Sequence, residues 1–317
     1  MPEQLEEYPE IAVVYLSYHC DPYIDDVVSA FKNITYPQDK IELVIVDNPH
    51  HDHGPSVKTI EEKVMPLSGD EIPHVTLLPQ DENLGFAGGN NVGAEWAAEN
   101  DYDYVFFHND DGFVSADCFE PLVEHMEQNE DVGIAQSLML LHPDTDKINS
   151  KGNTYHYLGF GFCTDYRKPA SEVKGTQPEE IGYASGAAFM VSTDLIEEYG
   201  GWDENYFLYH EDMEWSLRLR SAGYKIQVVP DSIFYHKYQF SRSITKFYWM
   251  ERNRYGTWLR FFSWPTLLLL LPMAMIVELG LILYSIKNGW FKKKLKIYGY
   301  WLNPKNWKLW LNKRKKT

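Results

Sequence analysis

The chain has 317 residues with 46 acidic and 29 basic side chains, a formal charge of −17, which argues against a nucleic-acid binder held by phosphate contacts. The mean conceals a division: no Asp or Glu follows Glu278, so residues 279–317 carry eleven Lys/Arg and +11, while residues 1–278 carry −28. With 44% hydrophobic and 24% charged residues, the bulk is a folded protein long enough for one large domain and an appendage.

Cys20, Cys118 and Cys163 form no CxxC pair, which supports neither a disulfide framework nor a zinc knuckle. The opening MPEQLEEYPE is acidic and lacks the apolar stretch of a secretory signal. The expectation is a reducing, cytosolic setting.

In chain order, β-branched apolar runs predict strands at 11–18, 41–48, 74–79, 104–111 and 132–140, separated by helix-compatible segments at 22–33, 56–66, 89–99 and 116–129. Such alternation predicts an α/β fold with a mostly parallel sheet, whose ligands bind beyond the carboxyl ends of the strands. That rule selects Tyr18, His19, Asp47, Asn48, the stretch 83–91 and His108–Asp111. An irregular polar region at 141–182 leads to a predicted strand at 182–192, then a helix capped by Thr193 or Asp194. A helix over 211–223 stops at Gly223, and a last strand, KIQVVP, leads to Asp231 and His236.

Three segments carry candidate chemistry. Asp110 and Asp111 end the apolar run YVFFHNDD; paired carboxylates there suit Mg²⁺ or Mn²⁺, with a helix cap near 116 as the competing explanation. ENLGFAGGNNVG, 82–93, sets glycines and amides between a strand and a helix, where free N–H groups suit phosphate, although a plain turn does the same. In GGWDENYFLYHED, Glu211 and Asp212 open a helix beside Trp202, Tyr206, Phe207 and Tyr209. An aromatic surround raises a carboxylate's pKa and suits a general base, with a capping pair on a solvated helix start as the competing explanation.

These segments together resemble glycosyltransferase family 2, with its GT-A nucleotide-sugar-binding fold, and within it the rhamnosyltransferase-like branch. The resemblance covers about residues 10–240 and rests on Tyr18, VIVDN at 44–48, NLGFAGGNN at 83–91, NDD at 109–111, SGAAFMV at 185–191 and the block ending in Asp212. It implies donor contacts from Tyr18, His19, Asp47, Asn83, Gly85, Gly88, Asn90 and Asp110. It implies a divalent metal, Mg²⁺ or Mn²⁺, on Asp111, Asp110 and His236, with Asn109 departing from the usual first carboxylate. Asp212 falls at the catalytic base, with Glu211 beside it on the acceptor side. The implied reaction is inverting transfer from a nucleotide-diphosphate sugar, dTDP-rhamnose first, to a saccharide hydroxyl, the acceptor being polyprenyl-linked. UDP-galactofuranose, UDP-N-acetylhexosamine or GDP-mannose with a soluble or protein acceptor is the alternative. A catalytically silent saccharide-binding protein is the rival of another class. PHHDHGP at 49–55 replaces the usual small turn; His50, His51, Asp52 and His53 suit a transition metal, but the stretch reads as a solvated loop near the nucleotide pocket, and no site is assigned there.

Residues 1–245 are expected to form the catalytic domain and 246–317 a membrane-associating helical region. The stretch 264–284 has the length of a span but contains Pro265, Pro272 and Glu278. A cytosolic donor and a cytosolic Lys-rich tail cannot flank a single crossing, so the segment is expected to lie on the cytoplasmic membrane face or to enter it shallowly. Lys292, Lys293, Lys294 and Lys296 beside an aromatic-rich helix, with seven of the ten tryptophans at or beyond Trp249, fit an interfacial belt. A helix pair buried in a homodimer is the alternative.

Overall fold

The computed structural model describes residues 8–237 and 247–314. The acidic start at 1–7, the expected boundary at 245 and Lys315 and Lys316 fall outside them. The chain divides into two compact units, the first comprising 1–154, 163–207 and 211–238, the second 155–162, 208–210 and 239–317. The second unit thus draws in two short excursions that precede residue 245.

The strands are β1 Ile11–Ser17, β2 Ile41–Asp47, β3 His74–Pro79, β4 Tyr104–Asn109, β5 Gly112–Val114, β6 Val132–Leu141, β7 Ile148–Ser150, β8 Asn153–Tyr155, β9 Gly161–Cys163, β10 Glu179–Glu180, β11 Ala188–Ser192 and β12 Lys225–His236. The helices are α1 Ile24–Phe31, α2 Val57–Lys63, α3 Gly85–Glu99, α4 Phe119–Gln128, α5 Thr193–Tyr199, α6 Glu211–Ser221, α7 Phe247–Phe261, α8 Trp264–Lys287, α9 Phe291–Leu302 and α10 Pro304–Arg314.

Ten strands form one sheet in the order β10-β12-β6-β11-β4-β1-β2-β3, with β5 on β12 and β7 on β6. β1 pairs in parallel with β2 and β4, whereas β11 runs antiparallel to β4 and β6. Both faces are covered, and so β1 and β2 are buried at every position. The mixed sheet flanked by helices is the architecture expected from the resemblance.

Three boundaries differ from expectation for physical reasons. First, α3 starts at Gly85 and takes in the glycine-rich stretch expected as a loop. A Cβ at Gly89 would overlap Leu16 and Asn48, and one at Gly93 would overlap Val14, so these glycines bring the helix down onto the sheet. Second, β11 begins at Ala188 because the preceding residues form a turn, and the α5 cap is Ser192, whose Oγ accepts from the Leu195 N–H at 3.4 Å. Third, β12 runs past Pro230 to His236, with a register shift between Val229 and Ile233.

In the second unit, Pro265 sits in the first turn of α8 and Pro272 lies inside a single continuous 24-residue helix. Pro at a helix start leaves no donor unpaired. Ser263 caps this helix through Oγ.

Candidate active site

β4 ends at Asn109, and the next strand, β5, pairs antiparallel with the end of β12, setting Gly112 opposite His236. That pairing joins two sequence-distant candidates: His236 Nε2 lies 2.9 Å from Asp111 Oδ1, while its Nδ1 is taken by Asn149 at 2.9 Å. The same Asp111 oxygen accepts from the Asn109 amide at 2.6 Å. Asp110 is held by β1, its Oδ2 accepting from the Tyr18 N–H at 3.0 Å and its carbonyl from the Tyr15 hydroxyl at 3.3 Å. α4 begins at Phe119 without a side-chain cap, so neither aspartate serves as the helix cap considered from sequence. A hard carboxylate pair with one imidazole is a donor set that fits Mg²⁺ or Mn²⁺.

Asp212 lies in the first turn of α6, partly buried. Burial raises its carboxyl to about 6, against the opposing pull of the backbone N–H groups of Met213, Gly186 and Asp212 itself. The Met213 N–H is 2.7 Å from Oδ1. Gly186 belongs to the turn before β11, which is fixed on every side. Ser185 N–H donates to Gln136 at 2.7 Å, Ala184 N–H to Ser216 Oγ at 3.1 Å, and Ala187 carbonyl accepts from Asn109 N–H at 3.0 Å. One turn therefore connects the carboxylate of α6 to the acidic end of β4. A Cβ at Gly186 would come within 2.9 Å of the Phe86 ring.

The block leading to α6 is anchored by Arg218. It pairs with the buried Glu214 at 2.9 Å and donates to the carbonyls of Tyr199, Gly200 and Gly201. Trp202 packs against Trp215 and Phe107, with ring centroids 4.8 and 5.0 Å apart. Glu211 is 4% exposed.

The remaining candidates fall into two groups. Asp47 is fully buried, one oxygen accepting from Ser17 Oγ at 2.7 Å and the other from the Ser56 N–H at 2.8 Å, so it ties the β2–α2 loop to β1. Asn83 accepts from the Gly85 N–H at 2.8 Å. Asn90, 1% exposed, donates to the Phe86 carbonyl at 2.9 Å, and Gly88 lies inside α3 against Leu84. The glycine-rich stretch at 82–93 is thus a helix start packed on the sheet, with Asn83 and Asn90 hydrogen-bonded within it. Gly85, at φ +76, leaves room for the Phe207 ring and carbonyl.

Tyr18 and His19, in contrast, meet the histidine loop that was assigned no role. The Tyr18 hydroxyl is 2.9 Å from His51 Nδ1, its ring lies 4.5 Å from that of His50, and His19 stacks on His53 at 4.0 Å. Ligand atoms of His50, His51 and Asp52 lie within 4.8 Å of one another. His50 Nδ1, however, accepts from the N–H groups of Asp52 and His53, which leaves the ring's proton on Nε2 and no lone pair for a metal. Sequence reasoning singled out the histidines of this loop but not their contacts with Tyr18 and His19, and it missed the bonding of the 184–187 turn; SGAA was visible only as part of the resemblance.

The Glycosyl transferase family 2 model matches residues 12–200, more than half of the chain. Among curated relatives, the probable glycosyltransferase YdaM of Bacillus subtilis (strain 168) is 24% identical over 80% of this chain and 56% of its own length. The dTDP-rhamnosyl transferase RfbF of Shigella flexneri is 25% identical over 52% of this chain and 53% of its own, so the chain spans about half the length of these two relatives. The N-acetylglucosaminyl-diphospho-decaprenol L-rhamnosyltransferase of Mycobacterium tuberculosis (strain ATCC 25618 / H37Rv) is 22% identical over 72% of this chain and 76% of its own. Among solved structures, the mannosyltransferase PcManGT of Pyrobaculum calidifontis, in complex with GDP-Man and Mn²⁺, superposes with TM-score 0.56 at 15% identity, covering 98% of this chain and 85% of that one. GalNAc-T7 with UDP, GalNAc and Mn²⁺ gives 0.57 at 15% identity, covering 74% and 45%. The match over 12–200 and the GT-A fold together establish that the chain belongs to glycosyltransferase family 2.

Proposed function

We propose that the chain transfers a sugar from a nucleotide-diphosphate donor to a saccharide hydroxyl with inversion at the anomeric carbon. The observation that carries this is the 184–187 turn, whose Gly186 N–H engages Asp212 and whose Ala187 carbonyl engages Asn109, two residues from Asp111. This turn supports a reading in which the candidate base, Asp212, and the candidate metal-holding turn at Asp110 and Asp111 share one hydrogen-bonded scaffold.

Asp212 accepts the acceptor's hydroxyl proton. The new O–C bond forms as the anomeric carbon's bond to the diphosphate oxygen breaks, and the nucleoside diphosphate leaves with the bonding pair. Asp111, Asp110 and His236 would hold a divalent metal, which when bound offsets the charge of a diphosphate that a −28 segment otherwise repels. Asn149 orients His236 and Tyr18 orients Asp110 for that task. Tyr18, His19 and Asp47 are proposed on the donor side, Glu211 on the acceptor side.

Two relatives named for rhamnosyl transfer, one acting on a diphospho-decaprenol, support a dTDP-deoxysugar donor and a lipid-linked acceptor. α8 supports a membrane-surface location: it is long and apolar enough to cross a membrane and exposes Leu268, Leu269, Ile276, Leu279 and Leu283. A stripe of Leu267, Leu270, Ala274, Val277, Glu278, Leu281 and Ser285, at helical spacing, is less exposed. Lying in the cytoplasmic face of the membrane reconciles an exposed apolar face with an inner stripe that carries Glu278.

A thermal-shift screen of dTDP-, UDP- and GDP-sugars with and without Mn²⁺ tests the reading. Stabilisation by one nucleotide class, enhanced by metal, is expected; no stabilisation by any of them under either condition contradicts it.

A further inference from the structure

The turn that feeds α6 is held in a backbone conformation that non-glycine residues avoid. Phe207, Tyr209 and His210 have φ of +64°, +65° and +71°. Left-handed backbone at an ordinary residue costs on the order of 1 kcal/mol each, so it persists only where the surroundings impose it. At the start of the turn, the Phe207 carbonyl accepts from the Phe86 N–H at 2.7 Å, and its ring sits in the space left by Gly85.

The rest of the turn, which belongs to the second unit, is held there from α7. Asn253 is fully buried, and its Nδ2 donates to two successive carbonyls, Leu208 at 2.9 Å and Tyr209 at 2.6 Å. Its Oδ1 accepts from Arg252 Nε at 2.8 Å, which fixes the amide with its donors toward the turn. One helical turn further along the same face, Thr257 Oγ1 lies 3.4 Å from Nδ1 of His210. His210 is followed directly by Glu211 and Asp212.

We propose that Asn253 is a positioning residue for Asp212: by clamping the carbonyls of Leu208 and Tyr209 it imposes the left-handed turn that delivers the base at the start of α6. This rests on Asp212 being the base. Its consequence is that α7, which the sequence places in the membrane-associating tail, serves the chemistry as well. With the clamp released, Tyr209 and His210 can relax to negative φ, and α6 then begins on a differently directed chain. A displacement of about 1 Å at a reacting group is enough to cost on the order of 10²-fold in rate.

The test uses the full-length chain. Asn253→Asp keeps the size and the acceptor for Arg252 but removes the donors. The expected result is a kcat about 10²-fold lower with donor KM within about threefold of the parent. A second pair keeps the test decisive if that variant folds poorly. Tyr209→Gly and Tyr209→Ala both remove the ring, but only glycine relaxes freely at φ +65°. The glycine variant is expected to match or exceed the alanine variant in Tm and, measured well below both Tm values, to turn over at least about tenfold faster, because alanine is drawn toward negative φ while glycine holds the turn that delivers Asp212. Parent-like kcat in Asn253→Asp, or equal kcat in the Tyr209 pair, overturns the inference. Asp212→Asn separates the two readings: full turnover there removes the base assignment itself, whereas an inactive Asp212→Asn beside a fully active Asn253→Asp overturns only the clamp.

Discussion

At the scale of single residues, Asp212 gives the account its pH dependence. Burial lifts its carboxyl from the ordinary 3.8 to about 6. A base must be ionised to accept a proton, so kcat/KM is expected to rise with pH through an inflection near 6 and to level off above it. The same shift has a stability consequence. A raised carboxyl pKa favours the folded state fully below about 4, and that contribution is lost as the pH rises through about 6. Asp212→Asn, which carries no charge, is therefore expected to gain on the order of 3 kcal/mol over the parent at pH 8 and little at pH 4. Denaturant titrations at the two pH values check this, and equal differences at both contradict the buried-carboxylate assignment. Asp212, Asp110 and Asp111 were visible in sequence because each stands at an element's end where charge must be explained. The Gly186 N–H was not, since a backbone donor has no sequence signature beyond its glycine.

At the scale of elements, α3 shows what local pattern leaves open. The strands were legible from β-branched runs, and β1, β2 and β3 match expectation within one residue. The glycine-rich stretch carries the propensity of a loop, and tertiary contact overrides it: Gly89 and Gly93 let α3 approach Leu16 and Val14. Gly93→Val, although valine is intrinsically the better helix former, forces two branched side chains into one space. It is expected to lower stability by about 2–4 kcal/mol. Gly280→Val, in α8 with nothing near its Cβ position, is the control and is expected to leave stability unchanged or raise it by roughly a few tenths of a kcal/mol. Chemical denaturation measures both, and equal losses would contradict the close-approach explanation. α7 is the second case. Its helix was foreseeable, but the partner of Asn253 was not, because the contact joins positions 45 and 44 residues apart.

At the scale of the whole molecule, the charge division at Glu278 is partly internal. Lys294, placed by sequence among the lipid-facing lysines, is fully buried and pairs with Glu251 and Glu278, each at 2.8 Å. Burial alone would raise Glu251, but Arg254 and Lys294 outweigh it and hold the carboxyl below its ordinary value. Tyr255 and Tyr298 also donate to Glu278, so the charge inside the apolar helix is satisfied within its own unit. Deleting residues 264–317 is consequently an unclean test of membrane binding, since it strips Glu251 of Lys294. Leu268→Asp with Leu283→Asp, both exposed positions, leaves that network intact. These changes are expected to abolish sedimentation with vesicles containing anionic lipid while turnover on a short soluble acceptor persists; unchanged sedimentation contradicts the interfacial placement of α8. The central claim is more general: a family 2 fold whose base is Asp212. Its most direct measurement is release of nucleoside diphosphate by the parent and by Asp212→Asn, with donor affinity followed by calorimetry. Turnover reduced by about 10³-fold or more, with donor affinity within about threefold, is the expected result. Parent-like turnover by Asp212→Asn would contradict it.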